Sequence, residues 1–299
     1  MTVRPPSPVL ALIVLAAILS TFASLTAPAR ADDPRAVLAV EDTMRTEVTP
    51  ELVSARRVTL GEILDRVARG EARRDSLLLD QSFTATLRLL RNTSTSGSPE
   101  LFSETVARVY KRRPSQVHTV ELRRFVLDDK EDDDDDVSFS PSMGEEIVNF
   151  AIRAENRRDY RFTIEDRTIV GDHIVYTLAF EPRSSLAVYE PRGRIWVDTR
   201  ENVIVRQELE FEQSPVPLLL RRIPHMVVER TRVGDFWVLS RALVRVEFTV
   251  PLPRVGRSAD FAMMMTDYTI NTGLPDSVFT GAHGNGRLHR MRVRAGQAR

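Results

Sequence analysis

The chain has 299 residues, with 42 lysines and arginines balancing 42 aspartates and glutamates, and no cysteine. Without cysteine there is no disulfide, no thiol nucleophile and no cysteine-linked lipid anchor, so an unstapled core must hold the fold. Balanced charge argues against general nucleic-acid binding, which carries a basic excess, while this length is enough to bury one sizeable core.

Val9 to Leu25 is an almost unbroken apolar run of 17 residues, preceded by Arg4. Ala29-Arg30-Ala31 before Asp32 has the small-x-small form at which a signal peptidase cuts, and Ala27-Pro28-Ala29 offers a second register. Residues 1–31 are therefore expected to be a signal peptide cleaved near Ala31. An uncleaved anchor is the alternative for a run this long, but the exit into Asp32, Asp33 and Pro34 favours removal. The processed chain of about 268 residues is expected to be soluble, in a periplasm or secreted.

Residues 32–57 read as a lead-in that is partly helical, with Arg35 to Arg45 as a short helix candidate. Thr59-Leu60-Gly61-Glu62 has the form of a capping box, in which a threonine hydroxyl and a glutamate three residues on satisfy free donors at a helix start. Leu60, Ile63, Leu64 and Val67 then share one helical face, and Gly70 is expected to close it.

After Asp80 the period becomes two, the mark of a half-buried strand. Phe83, Ala85, Leu87 and Leu89 alternate with Thr84, Thr86 and Arg88. A turn from Asn92 to Pro99 leads to strands at Leu101–Lys111 and Gln116–Leu127, which predicts an antiparallel meander. Asp128 to Asp136 holds eight carboxylates. It has neither the ligand spacing nor the glycine of a calcium loop, and like charges at that density predict a solvated flexible loop over 128–144.

Glu145 to Arg153 is a short helix candidate with Ile147, Phe150 and Ala151 on one side. Strands resume at Tyr160 and at His173–Glu181. Next comes a hairpin, Gly193-Arg194-Ile195-Trp196-Val197-Asp198 followed by Val203 to Glu212. In it Val203, Val205, Leu209 and Phe211 form an apolar face opposite Arg206, Glu208, Glu210 and Glu212. Ser214 to His225 breaks the rhythm with three prolines around Leu218, Leu219 and Leu220, which form either a mobile lid or a connection tucked against the core. Further strands are expected at Met226–Val233, Phe236–Val250 and Ser258–Ile270, and 273–299 reads as a basic flexible tail. The architecture is α+β but mainly β: a single strongly curved antiparallel sheet, an incomplete barrel, with helices packed on its concave face.

Chemistry-bearing motifs are sparse. The histidines, His118, His173, His225, His283 and His289, have no zinc-site spacing, and no Gly-x-Ser-x-Gly elbow occurs. Glu208, Glu210 and Glu212 read as surface charge. No catalytic residue, metal or cofactor is assigned. Phe261, Met263 and Met265 share one strand face, an arrangement suited either to a core or to a surface that accepts varied apolar ligands. Trp196 and Trp237 are open to both readings.

From Val58 to Asn271 the chain resembles the periplasmic lipoprotein-carrier superfamily, the LolA-like fold, and especially the bacterial outer-membrane lipoprotein-sorting proteins. The resemblance lies in the helix from Thr59, the meander after Asp80, the glycine-led strand from Gly193 to Asp198 with its charged partner Val203–Phe211, and Gly234-Asp235-Phe236-Trp237-Val238. It implies a half-barrel domain over 58–272 whose apolar cavity holds acyl chains of lipoproteins or lipids. Candidate lining residues are Phe83, Leu87, Leu89, Val205, Leu209, Phe211, Phe261, Met263 and Met265, with Leu218, Leu219 and Leu220 as a lid. A monomer exchanging cargo with a membrane-bound donor or acceptor is the corresponding expectation. An envelope interaction or stress-sensing protein of the same fold is the alternative. An outer-membrane β-barrel is disfavoured, because the strands lack aromatic girdles.

Overall fold

A computed structural model describes residues 58–92, 99–127, 148–214, 217–252 and 254–280. The expected signal peptide, the lead-in up to 57, the acidic segment 128–144 and the tail beyond 280, with His283 and His289, lie outside the described residues.

Helix α1 (Leu60–Leu77) starts on the expected capping box: the Glu62 N–H donates to the Thr59 hydroxyl, and the Thr59 N–H to the Glu62 carboxylate. It does not end at Gly70. A Cβ at that position would lie 2.1 Å from the carbonyl oxygen of Asn202, so the glycine serves a close approach between helix and sheet.

Ten strands follow: β1 (Asp80–Asn92), β2 (Pro99–Arg112), β3 (Gln116–Val126), β4 (Tyr160–Val170), β5 (His173–Pro182), β6 (Pro191–Asp198), β7 (Val203–Phe211), β8 (Leu220–Val233), β9 (Phe236–Leu252) and β10 (Gly256–Ile270). They form one sheet in the order β3-β2-β1-β10-β9-β8-β7-β6-β5-β4, with every pairing antiparallel. Each strand neighbours its sequence successor except β3, which does not meet β4. β10 returns to pair with β1, and β3 and β4 occupy opposite edges. The sheet is therefore not closed into a barrel.

It nevertheless curls. Val126 on β3 and Phe162 on β4 belong to one continuous hydrophobic cluster with Ile63, Leu64 and Val67 of α1, so the two ends of the sheet bend around a shared core. Register shifts in β1, β2, β7, β8 and β9 supply local bends, as bulges do in strongly coiled sheets. The chain must pass from one edge to the other between Val126 and Tyr160. Its described part over 148–159 buries Val148, Phe150, Ala151 and Ile152 in the core and ends in a 3-10 turn at Arg157–Asp159, while residues 145–147 of the expected helix lie outside the described residues.

β8 begins at Leu220, well ahead of the expected Met226. Pro224 lacks the N–H a ladder needs, and the pairing with β9 slips twice between Leu220 and His225 to accommodate it. After β10, Ser277–Thr280 forms a single helical turn, α2. The Arg112 guanidinium donates to the Leu274 carbonyl and the Asp276 carboxylate and lies over the Phe279 ring, so residues 274–279 of the expected flexible tail are tied to β2.

Candidate binding site on the concave face

The two faces of the sheet differ in chemistry. On the convex face, charged side chains of neighbouring strands pair: Arg194 with Glu165 at 2.6 Å, Arg192 with Glu210 at 2.9 Å, and Arg245 with Asp260 at 2.7 Å. Glu208 and Glu212 are likewise engaged by Arg206 and Arg192. The Arg206 guanidinium also covers Trp196, 5.1 Å from its ring centroid. A shallow groove of about 540 Å³ runs over Arg161, Glu181, Arg194 and Glu208, and its charges already neutralise one another.

The concave face is predominantly apolar, with Gln207 and Arg230 as buried polar exceptions. One transverse row runs Ile164, Leu178, Ile195, Gln207, Val228 across β4 to β8. It continues through Ala242 and Met263 to Leu87 and Thr105. The next row runs from Phe162 and Phe180 through Gly193 to Leu209 and Met226, then to Val244, Phe261 and Leu89. Gly193 has a local reason to be glycine, since a Cβ there would lie 1.9 Å from the carbonyl oxygen of Glu208.

Over the β4 to β8 part, this face is closed by α1, which packs on β7 and β4. Glu71, deeply buried, accepts the Ile204 N–H at 2.8 Å and the Arg230 Nη1 at 2.7 Å. Arg74 Nε donates to the Trp237 carbonyl at 2.6 Å, which fixes the next helical turn over the β8–β9 hairpin. Neither Glu71 nor Arg230 was flagged by sequence, because both fall within otherwise ordinary helix and strand patterns.

Most of the sequence-selected apolar residues meet here. Phe83, Leu89, Leu209, Phe211, Phe261 and Met265 are buried within the continuous core, and Met263 packs against it while partly exposed. Leu87, paired with Met263 and Thr105, is half-buried. Val205 is the exception. Trp196 pairs with Arg206 and Val197 with Ile204, so Val205 has no partner on β6, and Ile204 enters the core in its place. The Leu218–Leu220 segment divides: Leu218 is 94% exposed, Leu219 packs on the core, and Leu220 is fully buried at the head of β8.

Among the described residues no three His, Asp or Glu side chains converge as a metal site. His173 lies between carboxylates, its Nε2 at 2.8 Å from Asp198 and its Nδ1 at 3.1 Å from Asp172. Tyr160 donates its hydroxyl to Glu190 at 2.9 Å. Burial first, and the Glu190 charge second, push that phenol well above the ordinary tyrosine range. Among the described residues no helix is long and apolar enough to cross a membrane.

No protein-family model matches the chain, and no curated protein matches it. Solved structures do. A DUF1329 family protein from Desulfovibrio piger aligns at 14% identity over 73% of this chain and 98% of its own, with a TM-score of 0.35. An outer membrane lipoprotein-sorting protein domain from Vibrio parahaemolyticus aligns at 13% over 73% and 96%, with a TM-score of 0.33. A LolA superfamily protein from Nitrosomonas europaea aligns at 15% over 75% and 98%, with a TM-score of 0.29. These are likenesses at the level of the fold alone.

Proposed function

We propose that this protein is a non-enzymatic carrier that holds acyl chains of lipids or lipoproteins between its concave sheet face and the elements that cross it. The observation that carries the reading is the apolar row across an unclosed sheet, in which the paired Leu87 and Met263 stay partly exposed while their neighbours toward β4 are buried. Acyl chains entering beside this pair gain about 0.8 kcal/mol for each methylene taken out of water. Phe83, Leu89, Leu209, Phe211, Phe261 and Met265 form the wall behind it. Flexible methionine side chains let such a wall reshape around different chains.

In this reading the apolar N-terminal run is a cleaved signal peptide. The product is a monomer of the periplasm that takes cargo from, and yields it to, a membrane or a membrane-bound protein. Release needs a competitor for the acyl chains and a movable edge, a part this reading assigns to Leu218 with Leu219. Neither cofactor nor nucleic acid has a part. Native mass spectrometry of the processed chain, released gently from its host, tests the reading: acyl-chain ligands are expected at defined stoichiometry.

A second reading is favoured by one observation. The aromatic wall residues Phe83, Phe211 and Phe261 are all buried in a continuous core, which suits an envelope interaction or stress-sensing protein that works through its surface. Capture of one inner-membrane partner by a ligand-free chain distinguishes it.

A further inference from the structure

Helix α1 buries one face and presents another whose composition its packing does not explain. Arg66, Arg69 and Arg73 are exposed and fall at spacings of three and four, so they form a single stripe about 10 Å long on the outer side of the helix. The next position on that stripe is Leu77, 51% exposed, and Leu79 just past the helix is 58% exposed. Arg113 stands opposite, its backbone N–H donating to the Leu79 carbonyl at 3.0 Å, with its side chain exposed.

Among the described residues Arg66, Arg73 and Arg113 form no ion pair. The nearby carboxylates are occupied: Glu62 by the helix cap, Asp65 by Arg157, Asp75 by Arg74, and Asp276 by Arg112. Asp80 is buried and accepts the backbone N–H groups of Thr272 and Gly273. The result is a surplus of cations beside two solvent-facing leucines, at the end of the sheet where α1 enters β1.

From this arrangement we infer that the outer stripe of α1 and the adjoining Leu77, Leu79 and Arg113 dock the protein on an anionic phospholipid bilayer. The two terms that peripheral anchors combine are both present: apolar side chains to enter the headgroup region, and arginines to meet anionic lipid. A partner offering acidic groups alone would satisfy the arginines but leave the leucines in water. The inference goes beyond the carrier reading and does not require it, because the surface lies outside the concave face.

Vesicle flotation tests it with the processed chain secreted by a bacterial host. Vesicles of phosphatidylcholine mixed with phosphatidylglycerol should carry the protein at low salt, vesicles of phosphatidylcholine alone should not, and added salt should release it. Each replacement among Arg69→Gln, Arg73→Gln and Arg113→Gln should weaken binding roughly five-fold. The double change Leu77→Ser with Leu79→Ser should abolish flotation while the far-ultraviolet circular dichroism stays that of wild type. Absence of flotation with the mixed vesicles overturns the inference, and so does flotation that neither salt nor these changes diminish. Binding of a fluorescent fatty acid without vesicles is read in parallel. Its failure with flotation intact removes the carrier reading alone.

Discussion

Glu71 of α1 and Arg230 of β8 form an ion pair at 2.7 Å, with side chains only 4% and 1% exposed. Glu71 also accepts the Ile204 N–H, and Arg230 Nη1 also donates to the Ile204 carbonyl at 3.0 Å. One carboxylate thus ties the helix to two strands. Two further nitrogens of Arg230 are buried without a hydrogen-bond partner, so the guanidinium depends on Glu71 for its charge compensation. Glu71→Ala strands that cation and is expected to cost about 3–5 kcal/mol. Replacing both residues together, as Glu71→Leu with Arg230→Met, is expected to cost less than the single change. Urea denaturation of the single and double variants measures the difference.

The close approach of α1 to the sheet makes a prediction opposite in sign to helix propensity. Alanine in place of an interior helical glycine normally stabilises by up to about 1 kcal/mol. Gly70→Ala must instead displace the Asn202 backbone and is expected to destabilise by about 1–3 kcal/mol. Gly61→Ala, on the same helix with open space around it, is expected to be neutral or stabilising. Thermal melts should show a lowered midpoint for Gly70→Ala and an unchanged or raised one for Gly61→Ala.

The regular parts of this fold were legible and the contacts between them were not. Period-two alternation located the strands to within a few residues, because one face of each meets the core and the other meets water. It failed where the ladder slips: the bulge opposite Trp196 and Val197 moves Ile204 inward and displaces Val205, and nothing local in the sequence marks that slip. Pro224 had the same effect on β8, since a proline that breaks the expected rhythm is tolerated at paired register shifts. Gly70 shows a third limit. Its meaning lies in Asn202, far along the chain, so from sequence it reads as a helix stop. The Glu71–Arg230 pair, separated by 159 residues, leaves no local signal at all.

Tyr160 sets an alkaline limit. Its phenol is buried against Phe150 and Phe180 and hydrogen-bonded to Glu190, so the folded state holds its pKa above the unfolded value of about 10. The stabilisation is fully present below that unfolded value. It declines as pH rises beyond it, because the unfolded chain releases the proton first. Tyr160→Phe is expected to lower stability near neutrality by about 1 kcal/mol through the lost hydrogen bond. It should also flatten the fall above pH 10, an effect followed by denaturation midpoints across the alkaline range.

The partly exposed pair on the concave face separates binding from folding. Leu87→Glu places a carboxylate beside Met263 at a position that water already reaches, so the cost to stability is expected to be small. Phe83→Glu, 2% exposed in the interior, is expected to unfold the domain, because a buried unpaired charge is among the largest single penalties. Leu87→Glu should retain the wild-type circular dichroism and lose fatty-acid probe affinity by at least about ten-fold, equivalent to one or two buried methylenes together with the repulsion of the acid.

The central claim is that the concave face takes acyl chains, and titration of the processed, delipidated chain with a fluorescent fatty acid tests it most directly. The expected result is saturable binding that is competed by unlabelled long-chain acid and lost in Leu87→Glu. Probe fluorescence that never saturates, or that is the same in wild type and Leu87→Glu, would contradict the claim and leave the filled core as the whole content of the half-barrel.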